Sequence, residues 1–139
     1  MKKIIVEKSN RKLIVLENDI VINKIKIALG KNPIGKKQFQ GDSKTPEGKY
    51  TINNKSTYSK FYKNLSISYP NNEDSSFAAS HNKSAGGEIK IHGIKNGLGF
   101  LGIFHRLLNW TDGCIAVRNK NMDYLFDNIP VGTEIIIKP

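Results

Sequence analysis

The chain has 139 residues, a formal net charge of +10 and a single cysteine, Cys114. This length is usual for one domain and buries roughly two-thirds of the unfolded surface, so the fold needs no disulfide or metal to stabilise it. One cysteine excludes an internal disulfide, and no apolar run is long enough to span a membrane. The basic opening Met1–Lys3 is followed by only three apolar residues, too few for the core of a standard secretory signal.

The positive charge comes mainly from lysines that are spread along the chain, among them Lys2, Lys3, Lys36, Lys37 and Lys60. A strongly basic balance favours anionic partners such as nucleic acid, lipid headgroups or anionic wall polymers. The alternative is that scattered lysines keep the protein soluble. Because no segment combines aromatic and basic residues in the way that single-strand readers do, we do not predict a nucleic-acid partner.

Short strands are predicted through the first two-thirds of the chain. Three β-branched-rich stretches, separated by turn signals at Ser9–Arg11 and Asn18–Asp19, predict a β-meander. These stretches are Lys3–Val6, Lys12–Leu16 and Ile20–Leu29. After a turn-rich segment from Gly30 to Gly48, further strands are predicted at Tyr50–Ile52, Leu65–Tyr69 and Ile89–His92. The polar stretch Pro70–Gly87 is predicted to be a loop.

Two helices and one strand are predicted in the last third. Apolar spacing predicts a helix over Phe100–Leu108, and Asn119 or Asn121 is predicted to cap a second helix. The apolar face of this second helix consists of Met122, Leu125, Phe126 and Ile129. Pro130–Gly132 ends the helix, and Thr133–Ile137 is the closing strand. About eight strands and one or two short helices indicate a single mostly-β domain over residues 1–139, of the sandwich or barrel type.

The segment around Cys114 has the features of a nucleophilic site. Gly113 precedes the thiol, and the strand-like Ile115–Val117 follows it. The thiolate is the nucleophile, and a free thiol with a pKa of about 8.5 needs an adjacent base. Backbone amides of Asp112, Gly113 and Cys114 could stabilise a tetrahedral oxyanion on this turn. The alternative is an inert core thiol, since free cysteine is among the most buried residue types.

Three histidines are candidates for the base. His92 ends a predicted strand and precedes Gly93, where a backbone carbonyl can orient the imidazole, so its local context is the best. His105 lies in the predicted helix among apolar neighbours, and His81 lies in the polar loop. A metal site formed by His92, His105 and Cys114 is the weaker alternative, because spacings of 13 and 9 positions match no usual zinc pattern.

Several blocks, taken in order, closely resemble the L,D-transpeptidase catalytic domain, the YkuD domain. The blocks nearest the thiol are Ile91–Gly93, Trp110–Asn119, Met122–Asp123 and Val131–Thr133. Three more, Gly41–Tyr50, Ile67–Asn71 and Gly86–Gly87, extend the resemblance over nearly the whole chain. Within Trp110–Asn119, the core Trp-Thr-x-Gly-Cys-Ile-Ala resembles one subgroup of the family.

The resemblance implies a mostly-β fold with Cys114 in a cleft under a lid-like loop. Cys114 would be the nucleophile, His92 the general base and the carbonyl of Gly93 the group that orients it, with no cofactor. Family members attack the amide after the L-centre of meso-diaminopimelate in a peptidoglycan tetrapeptide stem, release D-Ala and form a thioester. A second stem's amine gives a 3-3 cross-link, water gives L,D-carboxypeptidase activity, and some members attach or release wall-linked proteins. The expected location is the cell envelope, in the periplasm or wall.

Two positions depart from the common family core. Ala116 stands where an arginine usually follows the cysteine by two residues, and Asp112 places a carboxylate beside the thiol, which disfavours the thiolate unless it points away. Arg118 could replace the missing arginine or be a solvated surface residue. Trp110 and His105 are further candidates for substrate binding. Rival functions are a non-catalytic wall-binding module and a delivered toxin that edits a competitor's wall.

Overall fold

The computed structural model describes residues 1–29, 32–57, 63–93 and 113–139. Eight strands and two helices lie in these ranges. The strands are β1 Lys2–Glu7, β2 Lys12–Glu17, β3 Ile20–Lys26, β4 Gly48–Ser56, β5 Asn64–Ile67, β6 Lys90–His92, β7 Ile115–Ala116 and β8 Glu134–Lys138. The helices are α1 Asn72–Ser80 and α2 Asn119–Asn128. The helix predicted at Phe100–Leu108 lies outside the described residues.

All eight strands form one curled sheet in the order β3-β2-β1-β8-β4-β5-β6-β7. The β1–β8 and β6–β7 pairs are parallel, and the others are antiparallel. Ala28, just after β3, exchanges two backbone hydrogen bonds of 2.9 Å with Ala116 in β7. This bridge joins the two ends of the strand order, so the sheet closes on itself like a barrel. The mostly-β prediction is confirmed.

The predicted opening meander is confirmed. Strands β1, β2 and β3 pair in sequence, and the turn before β3 has positive φ at Asn18 (50°) and Asp19 (66°). Two adjacent residues in the left-handed region are what a two-residue hairpin turn requires, and Asn and Asp tolerate that region well. The parallel β1–β8 pair then brings the two ends of the chain together.

The core lies inside the curl of the sheet and is closed by α2. Alternate residues of the strands face inward, as a half-buried strand pattern predicts. The fully buried side chains include Ile4, Leu13, Ile25, Ile52, Leu65, Ile91, Ile115, Met122 and Leu125. Each such side chain contributes about 1.5–3 kcal/mol by leaving water, so the strands that carry the candidate site rest on a rigid support. In the described ranges no helix is both long and apolar enough to cross a membrane.

Two local predictions are wrong. Helix α1 lies within the stretch predicted to be a loop, because Asn71 and Asp74 form a reciprocal capping box that stabilises a polar nine-residue helix. Helix α2 follows Arg118, whose side chain makes no capping hydrogen bond, so neither Asn119 nor Asn121 is the cap.

Two of the lysines are buried rather than solvated. Lys8 is 2% exposed and Lys37 is 4% exposed.

Candidate active site

Strands β6 and β7 bring the histidine and cysteine segments side by side. They pair in parallel with Ile91 opposite Ile115 and His92 opposite Ala116. Because paired residues of neighbouring strands share a face, His92 and Ala116 lie on the same side of the sheet. Cys114 directly precedes β7, so the pairing brings its segment next to the strand that carries His92. The amide of Val117 donates to the carbonyl of His92 at 3.0 Å, which fixes this register. The sheet thus brings the segment of the thiol and the end of the histidine strand close together.

The imidazole of His92 is oriented by its own neighbour. His92 is 3% exposed, and its Nδ1 lies 2.7 Å from the carbonyl oxygen of Gly93. A carbonyl only accepts, so Nδ1 carries the proton in this hydrogen bond. The amide of Gly93 donates to the carbonyl of Lys63 at 3.1 Å, so the orienting carbonyl is itself anchored. The catalytic role of Gly93, which is to orient the base, stays a prediction.

The environment of His92 favours the neutral imidazole. Burial lowers the pKa of His92 below 6.5, and the nearby positive charge of Lys90 lowers it further, against the opposing effect of the Gly93 hydrogen bond. A neutral imidazole is the form that takes a proton from a thiol. The role of His92 as the base stays a prediction.

Cys114 is partly exposed rather than buried in the core. Its Sγ donates a hydrogen bond to the carbonyl oxygen of Glu88 at 3.3 Å. A carbonyl only accepts, so the thiol is the donor in this contact. Accessibility at the surface argues against the inert core thiol that the sequence left open.

The turn before the thiol requires glycine. Gly113 has φ of +108°, a region that side chains rarely adopt, and a Cβ there would lie 2.7 Å from the carbonyl oxygen of Lys44. The hydroxyl of Thr45, which is fully buried, donates to the carbonyl of Gly113 at 3.0 Å. The segment before β4 therefore packs directly against the turn that presents Cys114.

A buried lysine, Lys8, holds that segment in place. Lys8 Nζ donates to the carbonyls of Gly35 and Thr45, both at 2.9 Å, and to Glu47 Oε2 at 3.0 Å. Burial lowers the pKa of Lys8, although its hydrogen bond to Glu47 acts in the opposite direction. Sequence reasoning missed Lys8, because nothing local distinguishes it from the surface lysines.

Asp42 organises the turn that leads into Lys44. Its carboxylate accepts from the amides of Gln38, Phe39 and Lys44 and from Lys37 Nζ, at 2.9–3.1 Å. Burial would raise the pKa of Asp42, but these donors together hold it below 3.8. The Gly41–Tyr50 block of the sequence is therefore an ordered support for the thiol turn.

Asn64 is a second residue that sequence reasoning missed. It lies directly opposite His92 on the neighbouring strand β5. Asn64 is 1% exposed, and within the described residues neither its amide nitrogen nor its amide oxygen has a hydrogen-bond partner. Buried polar atoms are normally hydrogen-bonded, so a buried amide with no partner among the described residues is unusual. Asn64 lies just before the predicted strand Leu65–Tyr69, so no local pattern marked it as a buried residue.

The remaining candidates are not brought to the thiol by the described residues. Arg118 is exposed and directly precedes α2. His81 is exposed at the end of α1, where its ring lies 4.6 Å from that of Phe77. Trp110, His105 and Asp112 lie outside the described residues, so the structure leaves their predicted roles in substrate binding and the oxyanion hole as predictions.

A polar cleft of about 570 Å³ borders the site. Its walls come from two loops and include Gln40, Ser43, Ser84 and Glu88. The amide of Gln40 donates to the carbonyl of Ser84 at 2.8 Å, which ties the two loops together. Because Glu88 both lines this cleft and accepts the thiol hydrogen bond, the cleft lies next to Cys114.

An accessible thiol, a neutral oriented imidazole and a glycine turn are the groups that nucleophilic cysteine chemistry uses. The family model of the L,D-transpeptidase catalytic domain, YkuD, matches residues 1–137. The chain therefore belongs to the YkuD family, a family of the L,D-transpeptidase type. None of the curated proteins compared with the chain matches it significantly.

Solved structures with the same fold include three informative neighbours. Bd1075 from Bdellovibrio bacteriovorus is 28% identical with a TM-score of 0.70, and the match covers 99% of this chain and 47% of Bd1075. The helical cell shape determining protein Pgp2 from Campylobacter jejuni is 23% identical with a TM-score of 0.74, over 99% and 47% of the two chains. LdtMt1, an LD transpeptidase solved in complex with imipenem, is 16% identical with a TM-score of 0.64, over 99% and 58%. The chain thus spans about half the length of the first two.

Proposed function

We propose that the chain is a single catalytic domain, residues 1–139, that acts as a cysteine-dependent L,D-transpeptidase on peptidoglycan tetrapeptide stems. Within the family we assign it to the subgroup with the Trp-Thr-x-Gly-Cys-Ile-Ala core. The observation that supports the proposal is the β6–β7 pair, which brings the segment of the partly exposed Cys114 beside the strand that ends in the buried His92. Family membership supports the proposed substrate class, and the geometry around Cys114 and His92 supports their proposed roles as nucleophile and base.

In the proposed acylation step, His92 Nε2 takes the thiol proton as Sγ of Cys114 attacks the amide carbonyl carbon between the L-centre of meso-diaminopimelate and D-Ala. The tetrahedral oxyanion is held by backbone amides of Asp112, Gly113 and Cys114. The C–N bond then breaks, the imidazolium returns the proton to the departing amine of D-Ala, and a thioester remains on Cys114.

In the second proposed step, His92 takes a proton from the acceptor as it attacks the thioester carbonyl, and Cys114 leaves as the thiolate. A side-chain amine of a second stem gives a cross-link between stems, and water gives a tripeptide. The polar cleft beside Glu88 is large enough to hold part of one stem. The net charge of +10 favours residence in the cell envelope close to anionic wall polymers, where we expect the protein to act.

Covalent labelling by imipenem tests the nucleophile directly. Attack of Cys114 on the β-lactam carbonyl opens the ring, and the ring nitrogen takes a proton, so intact mass should rise by the whole mass of imipenem. We expect one adduct on the wild-type protein and none on Cys114→Ala. His92→Ala should fold normally but should react with imipenem much more slowly. A wild-type protein that binds peptidoglycan but forms no adduct would support a non-catalytic wall-binding module instead.

The choice of base has its own control. His81→Ala removes an exposed histidine that we place outside the site and should label at the wild-type rate. If His105→Ala abolishes labelling while His92→Ala does not, the assignment of His92 as the base is wrong.

A further inference from the structure

The peptide bond between Gly113 and Cys114 is fixed on one side by Thr45. The buried hydroxyl of Thr45 donates to the carbonyl of Gly113 at 3.0 Å. This carbonyl and the amide of Cys114 belong to the same planar trans peptide, in which C=O and N–H point in opposite directions. A hydrogen bond that holds the carbonyl therefore also sets the direction of the Cys114 N–H, which points away from Thr45.

We propose that Thr45 is a positioning residue that aims the Cys114 amide at the substrate oxyanion and so accelerates acylation without touching the thiol. The proposal rests on the function proposed above, in which that amide is an oxyanion donor. Such donors work only when they lie 2.7–3.1 Å from the place where the charge develops. A peptide plane that is free to rotate would lose that geometry even with Cys114 and His92 unchanged.

The position of Thr45 is itself determined by long-range contacts. Its carbonyl accepts from Lys8 Nζ at 2.9 Å, and the same ammonium group bonds Glu47 at 3.0 Å. On the other side, the carbonyl of Lys44 lies so close to Gly113 that a Cβ there would be 2.7 Å away. Thr45 therefore cannot move away from the Gly113 carbonyl without disrupting the buried Lys8 contacts.

Two reactions of the same thiol separate positioning from general disruption. Alkylation by iodoacetamide needs the thiolate but forms no oxyanion, whereas acylation by imipenem needs both. Thr45→Val keeps the shape of the side chain and removes only the hydroxyl. We expect it to slow imipenem acylation by about 10- to 100-fold, less than the loss of a whole oxyanion donor, and to leave the pH profile of iodoacetamide alkylation unchanged.

Conservative rescue and a matched control complete the experiment. Thr45→Ser restores a hydroxyl and should recover most of the acylation rate. Thr133→Val removes the same kind of bond elsewhere, since the buried Thr133 hydroxyl donates to the carbonyl of Pro130 at 2.7 Å. It should react with both reagents at wild-type rates. If Thr45→Val is insoluble, Thr45→Ala takes its place, and again we expect slower acylation by imipenem and unchanged alkylation by iodoacetamide.

Three results would overturn the inference. Imipenem acylation of Thr45→Val at the wild-type rate would show that the hydroxyl does not orient the amide. An equal fall in both reactions, with no rescue by Thr45→Ser, would show that Thr45 serves only the general structure. A wild-type protein that alkylates but never acylates would remove the proposed function, and the inference with it, which distinguishes that failure from the other two.

Discussion

Replacing Gly113 by alanine should damage the site more than the same substitution at Gly132, which also has a positive φ. Gly113 has φ of +108°, and a Cβ would lie 2.7 Å from the carbonyl oxygen of Lys44. That oxygen is backbone and cannot rotate aside, because the amide of Lys44 bonds to Asp42 at 3.1 Å and Thr45 is held by Lys8. The alanine can be accommodated only if the thiol turn moves.

The size of the effect follows from the positive φ of Gly113 and from the close contact with the carbonyl of Lys44. A non-glycine residue in a sparsely populated backbone region costs about 1–3 kcal/mol. Moving the contact from 2.7 Å to an ordinary 3.4 Å requires a displacement of about 0.7 Å. Overpacking of that size adds about 1 kcal/mol or more, so we expect the free energy of unfolding to fall by about 2–4 kcal/mol. A misplacement approaching 1 Å at reacting groups lowers the rate by about 10- to 100-fold.

Gly132→Ala is the matched control. Gly132 has φ of +97°, and nothing lies within 4 Å of the Cβ position. This variant bears only the conformational cost, about 1–2 kcal/mol, and should acylate at the wild-type rate per folded molecule. Urea denaturation and imipenem acylation of both variants provide the comparison. Equal stability and equal rates for Gly113→Ala and Gly132→Ala would refute the reasoning about the Lys44 contact.

Three further outcomes are expected. Burial lowers the pKa of His92 below 6.5, so its neutral form persists as the pH falls and the acylation rate should decline only below pH 6.5. The free energy of unfolding should also fall there, because the unfolded state takes up the proton first. A midpoint above pH 6.5 in a stopped-flow rate profile would contradict this. Lys8→Met should lower the free energy of unfolding by about 3 kcal/mol, against about 0–1 kcal/mol for Lys3→Met, whose pair with Glu134 is partly exposed. Similar losses in urea would show that Lys8 is not a structural anchor. Asn64→Leu should raise the free energy of unfolding by about 1 kcal/mol because it removes a buried amide that has no partner in the described residues, whereas a lower melting temperature would show that the amide is paired.

Much of the sheet could be predicted from local patterns. The β-branched runs and the Asn18–Asp19 turn correctly predict the meander, since both signals depend only on neighbouring residues. The order of the later strands and the two parallel pairs have no such signal, because they are decided by packing over the whole chain. Helix α1 was missed because its residues give no apolar period. Only Ala78 and Asp74, the third helical residue of the capping box, are buried.

The site shows the same division between local and long-range information. His92-Gly93 and Gly113-Cys114 could be identified from short motifs, since a glycine and a strand end are local features. The bond between Thr45 and Gly113 joins residues 68 positions apart, and Lys8 reaches Glu47 across 39 positions. Only the folded chain shows that these residues support the thiol turn. Neither one differs in sequence from an ordinary surface threonine or lysine.

The central claim is tested most directly by the fate of a defined disaccharide-tetrapeptide. Wild-type protein and Cys114→Ala are incubated with it, and the products are analysed by mass spectrometry. The account predicts that only the wild type releases D-Ala, with an acyl-enzyme on Cys114 and a cross-linked dimer as product. A tripeptide alone would assign water as the acceptor and correct the transferase assignment. Release of D-Ala by Cys114→Ala at the wild-type rate would contradict the account.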